Sequence, residues 1–252
     1  DLSENMKLPV LMRIVTRLAH SRADVEVRNA IAQNTLNPDN ERTHWVLLPG
    51  NARRQYAGLV AKQPDLSASS ENSIYNKTIA VNEGKARIGV ISCGIAYKYV
   101  MENAPMDLGV SVLKISQYPI PTNSIKSFAT KCDSILVAED GQPFVEEQVK
   151  SLLGAEYNLK GRLTGDLPRM GELTPDCVGT ALGVTIEQTF ENPQNVMPRP
   201  PALCQGCGHR DVYDALNKVA ADYSDARIFG DIGCYTLGAL PPFRAIDSCV
   251  DM

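Results

Sequence analysis

The chain has 252 residues, of which 44% are hydrophobic, and it carries a formal net charge of −4. This length suits one large domain or two ordinary ones. The mildly acidic balance excludes the basic surface that nucleic acid or an anionic membrane requires, and no apolar run reaches the roughly 20 residues that cross a bilayer.

The seven cysteines are an odd number, and they lack the dense, regular spacing of a secreted disulfide scaffold. No leader-peptide pattern opens the chain, so we expect a protein of the reducing cytoplasm. The chain begins with Asp1 and stops at Met252, directly after a motif-rich segment. This predicts an internal fragment of a longer protein.

The first apolar segment, Pro9 to Arg17 (PVLMRIVTR), is rich in β-branched residues and is predicted to be a strand. We interpret it as the end of a preceding domain. From Ser21 to about Lys85 the apolar periodicity weakens. This stretch is predicted to be a long connector with local structure, including a helix after Ala52.

Apolar strands alternate with helical patterns between Ala86 and about Gly154. The predicted strands are ARIGVIS, VSVLKIS and SILVAED, and the predicted helices are YKYVMENA, SIKSFATKC and FVEEQVKSLL. This alternation is typical of a doubly wound, mostly parallel α/β domain. The Gly- and Pro-rich segment GRLTGDLPRMGELTP and the prolines between Pro193 and Pro201 indicate a boundary after it.

The end of the chain carries the most chemical information, because three cysteines lie there among glycines. Cys204 and Cys207 belong to ALCQGCGHR, and Cys234 belongs to FGDIGCYTLG. A Cys-x-x-Cys pair places two thiolates within chelating distance, and three soft ligands suit an iron–sulfur cluster or zinc. A fourth ligand is not evident. Cys249 could complete the set, but the pattern gives no reason to choose it.

The elements between these cysteines predict that all three converge at one strand edge. A helix face is marked by Val212, Ala215, Leu216 and Val219, and residues 227–229 are predicted to be a short strand. Open α/β sheets bind ligands in the loops at the carboxyl ends of their parallel strands. Asp231 and Cys234 are therefore predicted to lie in a ligand site.

Two ungapped blocks closely resemble the large (alpha) subunit of indolepyruvate:ferredoxin oxidoreductase. They are RPPALCQGCGHR over residues 199–210 and GDIGCYTLGALPP over residues 230–242. The likeness continues upstream in LLPGNARR, EDGQPF and LTGDLPR, so that it covers nearly the whole chain. The family belongs to the thiamine diphosphate-dependent 2-oxoacid:ferredoxin oxidoreductase superfamily.

The resemblance implies a domain order. Residues 1–24 correspond to the tail of a pyrimidine-binding domain, 25–81 to a connector, 82–190 to a transketolase C-terminal-like domain, and 195–252 to the N-terminal part of a pyrophosphate-binding domain. The magnesium ligands and the glutamate that activates the pyrimidine are expected outside this chain. The chain alone is therefore expected to be inactive.

The resemblance also implies a reaction, the oxidative decarboxylation of arylpyruvates such as indolepyruvate to aryl-acetyl-CoA. The implied cofactors are thiamine diphosphate, magnesium and a 4Fe-4S cluster, and the implied partners are a smaller (beta) subunit, ferredoxin, the 2-oxo acid and coenzyme A. Cofactor contacts are implied for Gly206, Cys207, Gly208, His209, Gly230, Asp231, Ile232 and Gly233, and cluster ligation for Cys204, Cys207 and Cys234. No catalytic residue is assigned.

Two alternative functions stay open from the sequence. One is the same chemistry on another 2-oxo acid, and the other is a non-catalytic assembly or docking module with zinc on the Cys-x-x-Cys pair. Individual residues also have simpler interpretations. His209 fits a hydrogen-bonded structural role as well as a pocket role, and an aspartate after a strand, such as Asp231, commonly caps the next turn.

Two turns and two cysteines are interpreted as structural. The turns at Ser92-Cys93-Gly94 and Glu139-Asp140-Gly141 follow predicted strands, but no Gly-x-Gly-x-x-Gly pattern marks a nucleotide site. Cys132 and Cys177 lie in apolar or helical settings and are predicted to be small buried hydrophobic residues.

Overall fold

A computed structural model describes residues 2–27, 29, 30, 32, 38–80, 86–103, 109–186 and 200–250. The chain divides into two compact units, Asp1–Glu187 and Gln188–Met252. The predicted domain boundaries at 82, 190 and 195 lie outside the described residues, as does Arg199 at the start of the first cysteine block. None of the described helices combines the length and apolar character needed to span a lipid bilayer.

Unit 1 is built on a five-stranded sheet in the order β1-β3-β2-β4-β5. The strands are β1 Lys77–Ala80, β2 Ala86–Cys93, β3 Val110–Ile115, β4 Cys132–Ala138 and β5 Leu159–Lys160. β2 is parallel to both β3 and β4, and β5 is parallel to β4. β1 is antiparallel to β3 at the edge.

The helices described in unit 1 lie before, between and after these strands. Their bounds are α1 Leu2–Met6, α2 Thr16–His20, α3 Arg42–Trp45, α4 Pro49–Ala61, α5 Gln63–Glu71, α6 Ala96–Asn103, α7 Thr122–Ala129, α8 Phe144–Leu153 and α9 Pro175–Ala181. The strands and helices predicted between 86 and 154 are therefore confirmed, apart from shifts of a few residues at their ends.

Helices cover both faces of this sheet. On one face Ile91 and Ile135 pack against Ile125 of α7 and Val149 of α8. On the other face Val90, Val112 and Leu136 pack with residues of α6 and α9, including Val100 and Val178. Because the central strands are buried on both sides, they are continuous apolar runs, and the predicted doubly wound α/β architecture is confirmed.

The predicted strand at Pro9–Arg17 is wrong. Residues 9–15 have no regular structure, and α2 begins at Thr16. Leu11 is 94% exposed, whereas Val15 packs against the core of unit 1. Strand propensity is realised only when a neighbouring strand supplies hydrogen bonds and a face to pack on, and Pro9 cannot donate to a ladder.

This N-terminal segment lies beside the sheet of unit 1. Arg17 donates from Nη1 to the hydroxyl of Tyr99 at 2.9 Å and forms a 2.7 Å ion pair with Glu172. A Cβ atom built on Gly141 would lie 3.1 Å from Nη2 of Arg13, so that guanidinium stands at the turn after β4.

The predicted connector contributes part of the sheet, because β1 lies within it. Asn76 anchors the segment before β1: its Oδ1 accepts from the backbone N–H groups of Ser116 and Gln117 at 2.7 and 2.9 Å. The carboxylate of Glu71 accepts from the backbone N–H groups of Asn123 and Ser124 at the start of α7. These contacts join residues distant in sequence, which local periodicity does not show.

Unit 2 contains α10 Gly208–Ala220, the short parallel strands β6 Phe229–Gly230 and β7 Ser248–Cys249, and a 3-10 helix over Thr236–Ala239. Its core is Leu203, Tyr213, Phe243 and Ala245, with Leu216 packed against them. The predicted helix face is therefore only partly right, since Val212 and Val219 are 53% and 59% exposed. The strand predicted at 227–229 begins at Phe229.

Candidate functional site

The Cys-x-x-Cys pair forms a turn at the start of α10. The backbone N–H of Cys207 donates to the carbonyl oxygen of Cys204 at 3.2 Å, with Gly206 inside the turn. Cys207 is the N-cap residue of α10, and Gly208 is its first helical residue. A helix N-terminus presents backbone N–H groups and partial positive charge, which favour an anion or a thiolate.

His209 lies between the cysteine turn and the loop after β6. Its Nδ1 is 3.2 Å from Sγ of Cys207. Its ring meets the ring of Tyr235 edge-on, with 4.7 Å between centroids. His209 therefore contacts residues of both cysteine-containing segments. These contacts fit a structural role and a pocket role equally well.

Tyr213 joins α10 to the loop after β6. Its side chain is buried, and its hydroxyl donates to the carbonyl oxygen of Tyr235 at 2.7 Å. A Cβ atom on Gly238 would lie 2.5 Å from the Tyr213 ring, so that position requires glycine. The sequence did not indicate that Tyr213 contacts Tyr235 and Gly238. The only signal was the spacing of His209 and Tyr213, which puts two aromatic rings on one helix face.

The loop that carries the second motif follows β6. Asp231 accepts from the backbone N–H of Ile232 through Oδ1 at 2.7 Å, and its carbonyl oxygen accepts from Oγ1 of Thr236 at 3.1 Å. Asp231 thus caps its own turn. Asp231, Ile232, Gly233 and Cys234 are exposed, and Gly230 is half-buried, so these predicted site residues stand at the surface of unit 2.

Cys249 lies beside this loop. β6 and β7 pair so that Gly230 is opposite Cys249, and Sγ of Cys249 is 3.3 Å from Oγ1 of Thr236. Burial raises the pKa of Tyr213, and Tyr235, Cys207, Cys234 and Cys249 add to the rise. Cys207 lies at the start of α10, Cys234 and Tyr235 lie in the loop after β6, and Cys249 lies in β7.

The described residues contain no group of three or more His, Cys, Asp or Glu side chains arranged to hold a single metal ion. Cys204, Cys234 and Cys249 are exposed free thiols, and Cys207 is half-buried. Cysteine thiolates are ligands of both zinc and iron–sulfur clusters in proteins.

The turn at the carboxyl end of β4 has its two carboxylates occupied by other groups of unit 1. Glu139 accepts from the N–H groups of Val145 and Glu146 at the start of α8, at 2.9 and 2.8 Å. Oδ1 of Asp140 accepts from the N–H of Leu173 at 3.1 Å and lies 3.2 Å from Nη2 of the buried Arg162. These partners fit the structural interpretation of the Glu139-Asp140-Gly141 turn.

The two cysteines interpreted as small buried residues differ in burial. Cys132 is buried, and its thiol donates to the carbonyl oxygen of Phe128 at 3.3 Å. Cys177 is half-buried and lies 3.1 Å from the hydroxyl of Thr174, the N-cap of α9. Neither lies in unit 2.

The sheet covered on both faces defines an α/β protein, and its second unit carries a glycine-rich Cys-x-x-Cys turn. No known protein-family profile matches the chain. Two curated relatives match its whole length: "Indolepyruvate oxidoreductase subunit IorA" of Methanothermobacter thermautotrophicus, 34% identical, and of Archaeoglobus fulgidus, 32% identical. The chain is thus similar over its full length to the IorA subunit of indolepyruvate oxidoreductase, which confirms the resemblance in its motifs.

The chain spans 43% and 42% of the length of these two relatives. Among solved structures, a 2-oxoglutarate:ferredoxin oxidoreductase from Magnetococcus marinus, with 2-oxoglutarate, coenzyme A and succinyl-CoA bound, matches 55% of this chain and 24% of its own. The identity is 16% and the TM-score 0.39. A split-gene transketolase matches 42% of this chain and 40% of its own, with 20% identity and a TM-score of 0.34.

Proposed function

We propose that this chain provides part of a thiamine diphosphate-dependent 2-oxoacid:ferredoxin oxidoreductase that acts on arylpyruvates such as indolepyruvate. The observation that carries the proposal is that the chain is similar over its full length to IorA subunits, at 34% and 32% identity. Its two cysteine- and glycine-containing motifs also contact each other through His209 within unit 2. The products are an aryl-acetyl-CoA, carbon dioxide and reduced ferredoxin.

Unit 2 supplies the cofactor contacts in this proposal. The N–H groups at the start of α10, around Gly208 and His209, suit the diphosphate of thiamine, because a helix N-terminus attracts anions. The loop at Gly230–Gly233 forms the adjoining wall. When bound, thiamine diphosphate supplies the carbanion that attacks the 2-oxo acid and makes decarboxylation possible.

Cys204, Cys207 and Cys234 hold a 4Fe-4S cluster in this proposal, near the cofactor contacts of Gly206 and Gly208. Cys204 and Cys234 are exposed, and the half-buried Cys207 lies 3.2 Å from Nδ1 of His209. Hydrogen bonds to the sulfurs and the burial of the cluster tune its reduction potential. The part of this chain in electron transport is to position that cluster.

The proposal extends to the domain organisation and to partners. Residues 1–24 belong to a pyrimidine-binding domain, 25–81 to a connector, 82–190 to a transketolase C-terminal-like domain, and 195–252 to a pyrophosphate-binding domain. A smaller beta subunit, ferredoxin, coenzyme A and magnesium complete a cytoplasmic enzyme. No residue of this chain is assigned to magnesium. The alternative, a non-catalytic assembly or docking module with zinc on the Cys-x-x-Cys pair, would use the same thiols.

The test uses the complete subunit that contains this sequence, purified without oxygen together with its partner subunit. Viologen reduction is followed with indolepyruvate, and thiamine diphosphate and coenzyme A are each omitted in turn. We expect reduction only when all three are present. Pyruvate and a branched-chain 2-oxo acid serve as comparison substrates. If no 2-oxo acid supports reduction, the proposed function is wrong, and faster reduction with a branched-chain acid overturns only the substrate.

A further inference from the structure

The start of α6 lies at the point of the sheet where the strand order reverses. From β2 the chain runs through α6 to β3 on one side, and from β3 it runs through α7 to β4 on the other side of β2. α6 packs on one face of the sheet, and α7 and α8 pack on the opposite face. Open α/β sheets bind ligands at this point, beyond the carboxyl ends of the strands. The Ser92-Cys93-Gly94 turn, which leads from β2 into α6, borders it.

The first turn of α6 has unpaired backbone donors. The N–H groups of Ile95 and Ala96 donate to no acceptor among the described residues, although these two residues are only 5% and 0% exposed. Buried backbone N–H groups are nearly always paired, and a helix N-terminus carries partial positive charge. A bound anionic oxygen would satisfy both requirements.

Ser92 supplies a further unpaired donor at the same place. Its side chain is 1% exposed, and its hydroxyl has no hydrogen-bond partner among the described residues. Alternate residues of a strand share a face, so Ser92 points to the same side as Val90, which packs in one cluster with Ala96 of α6. Because Ser92 is the last residue but one of β2, its hydroxyl faces the first turn of α6. A buried hydroxyl without a partner is costly, which indicates that a ligand accepts from it.

Lys114 adds a positive charge beside Ser92. The parallel register of β2 and β3 places Lys114 opposite Ser92, so that both side chains point to the α6 face. Its Nζ is 4.8 Å from the centre of the Tyr97 ring, in the first turn of α6. Lys114 is half-buried and forms no ion pair with a described carboxylate. The ring holds the ammonium near the start of the helix but does not neutralise it.

The acidic residues of the neighbouring turn after β4 do not supply the missing counter-charge. Glu139 accepts from two N–H groups at the start of α8, which packs on the other face of the sheet. Asp140 is paired with the buried Arg162. The donors at the start of α6 are therefore left for a ligand.

We propose that the start of α6 binds a phosphate group through the ammonium of Lys114, the hydroxyl of Ser92 and the backbone N–H groups of Ile95 and Ala96. A phosphate offers more acceptor oxygens than a carboxylate, and it matches donors that come from two strands and a helix. Inorganic phosphate and the phosphate of an ester share this chemistry. The site is separate from the proposed function, whose cofactor contacts lie in unit 2.

The experiment is isothermal titration calorimetry of the 252-residue chain with inorganic phosphate. We expect Lys114→Met to weaken binding by about tenfold or more and Ser92→Ala by severalfold, because hydrogen bonds to a charged group are lost. Lys114→Arg should retain binding, since it keeps the charge. Lys98→Met is the matched control, because Lys98 is an exposed lysine of the same helix, and it should bind phosphate as the unsubstituted chain does.

A second titration distinguishes the sources of the phosphate. Binding of AMP without binding of adenosine would assign the site to a phosphate ester, and binding of inorganic phosphate alone would assign it to the free ion. The inference is wrong if the unsubstituted chain binds neither compound at about 10 mM, or if Lys114→Met and Lys98→Met bind phosphate equally. Acetate that binds as tightly as phosphate would overturn the assignment to phosphate.

Circular dichroism of each variant separates a loss of binding from a loss of structure. Ser92→Ala removes an unpaired buried hydroxyl and should fold normally. Its affinity for phosphate therefore decides the inference even if Lys114→Met is unfolded, and an affinity equal to that of the unsubstituted chain would exclude Ser92 from the site.

Discussion

The hydroxyl of Tyr213 donates to the backbone carbonyl oxygen of Tyr235 across 2.7 Å, joining α10 to the loop that carries Cys234. Most of unit 2 depends on this helix, because Tyr213 is also a member of its small core. The position of Cys234 relative to Cys207 therefore depends on one hydrogen bond and one buried ring.

Replacing Tyr213 with phenylalanine should lower the free energy of unfolding of unit 2 by about 1 kcal/mol, because the ring stays while the hydrogen bond is lost. The measurement is denaturant unfolding followed by circular dichroism. Tyr223→Phe is the matched control, since Tyr223 lies in the same unit and is 66% exposed. Equal effects of the two substitutions would contradict the role given to Tyr213.

Replacing Asn76 with alanine should destabilise unit 1 by about 2 kcal/mol, because two backbone N–H groups lose their acceptor. Those N–H groups belong to Ser116 and Gln117, and the Asn76 side chain also donates to the carbonyl oxygen of Gln117 at 3.1 Å. Asn72→Ala is the control, since exposed Asn72 donates only within its own helix, to Ala68. A stability of Asn76→Ala equal to that of Asn72→Ala would show that the connector is not anchored in this way.

Gly161 is predicted to tolerate no side chain. A Cβ atom there would lie 2.5 Å from the carboxyl carbon of Glu146, whose oxygens accept from the N–H groups of Arg162 and Leu163. Gly161→Ala should therefore cost about 2 kcal/mol or more of unfolding free energy. Gly58→Ala, inside α4 with nothing within 4 Å, should instead stabilise the chain by up to about 1 kcal/mol. Thermal unfolding of both variants tests this prediction. A Gly161→Ala variant as stable as the unsubstituted chain would contradict it.

Cys93 should make the stability of unit 1 depend on alkaline pH. Burial raises the pKa of this thiol from its ordinary 9.0 to about 12, and Glu139 adds to the rise. The folded state thus keeps the proton that the unfolded state releases. The resulting stability is present below pH 9 and is lost as pH rises toward about 12, at about 1.4 kcal/mol per pH unit.

Unfolding free energies measured between pH 8 and about pH 11 test this dependence. Cys93→Ala should show a shallower decline with pH than the unsubstituted chain. Cys204→Ser, which removes an exposed thiol from the other unit, should leave the decline unchanged. Parallel declines for the Cys93 variant and the unsubstituted chain would mean that another group is responsible.

The central strands could be predicted from the sequence because they are buried on both faces, which leaves apolar runs such as SILVAED. β1 could not, since KTIA is short and exists through its pairing with β3, so that Thr78 meets Leu113. The opposite error occurred at Pro9–Arg17, where the composition of a strand is present but no described strand pairs with it. Local propensity indicated a strand at Pro9–Arg17 and none at β1, and in both places tertiary pairing decided the result.

The candidate site, like the fold, could be predicted from the sequence only in part. The cysteines and glycines could be identified by residue type and spacing, which are properties of the sequence. The contacts of Tyr213 and Thr236 could not, because each depends on how a helix or strand meets a distant loop.

Arg13 gives the sheet of unit 1 a property that its topology alone would not suggest. The crevice between the carboxyl ends of β2 and β4 is where open sheets of this kind admit ligands. Here a guanidinium of the same chain stands at the Gly141 turn, and its charge offsets part of the rise in pKa that burial causes at Cys93 and Glu139. The crevice is therefore less negative than Glu139 and Asp140 alone would make it, because part of its charge is balanced by a residue more than a hundred positions earlier in the chain.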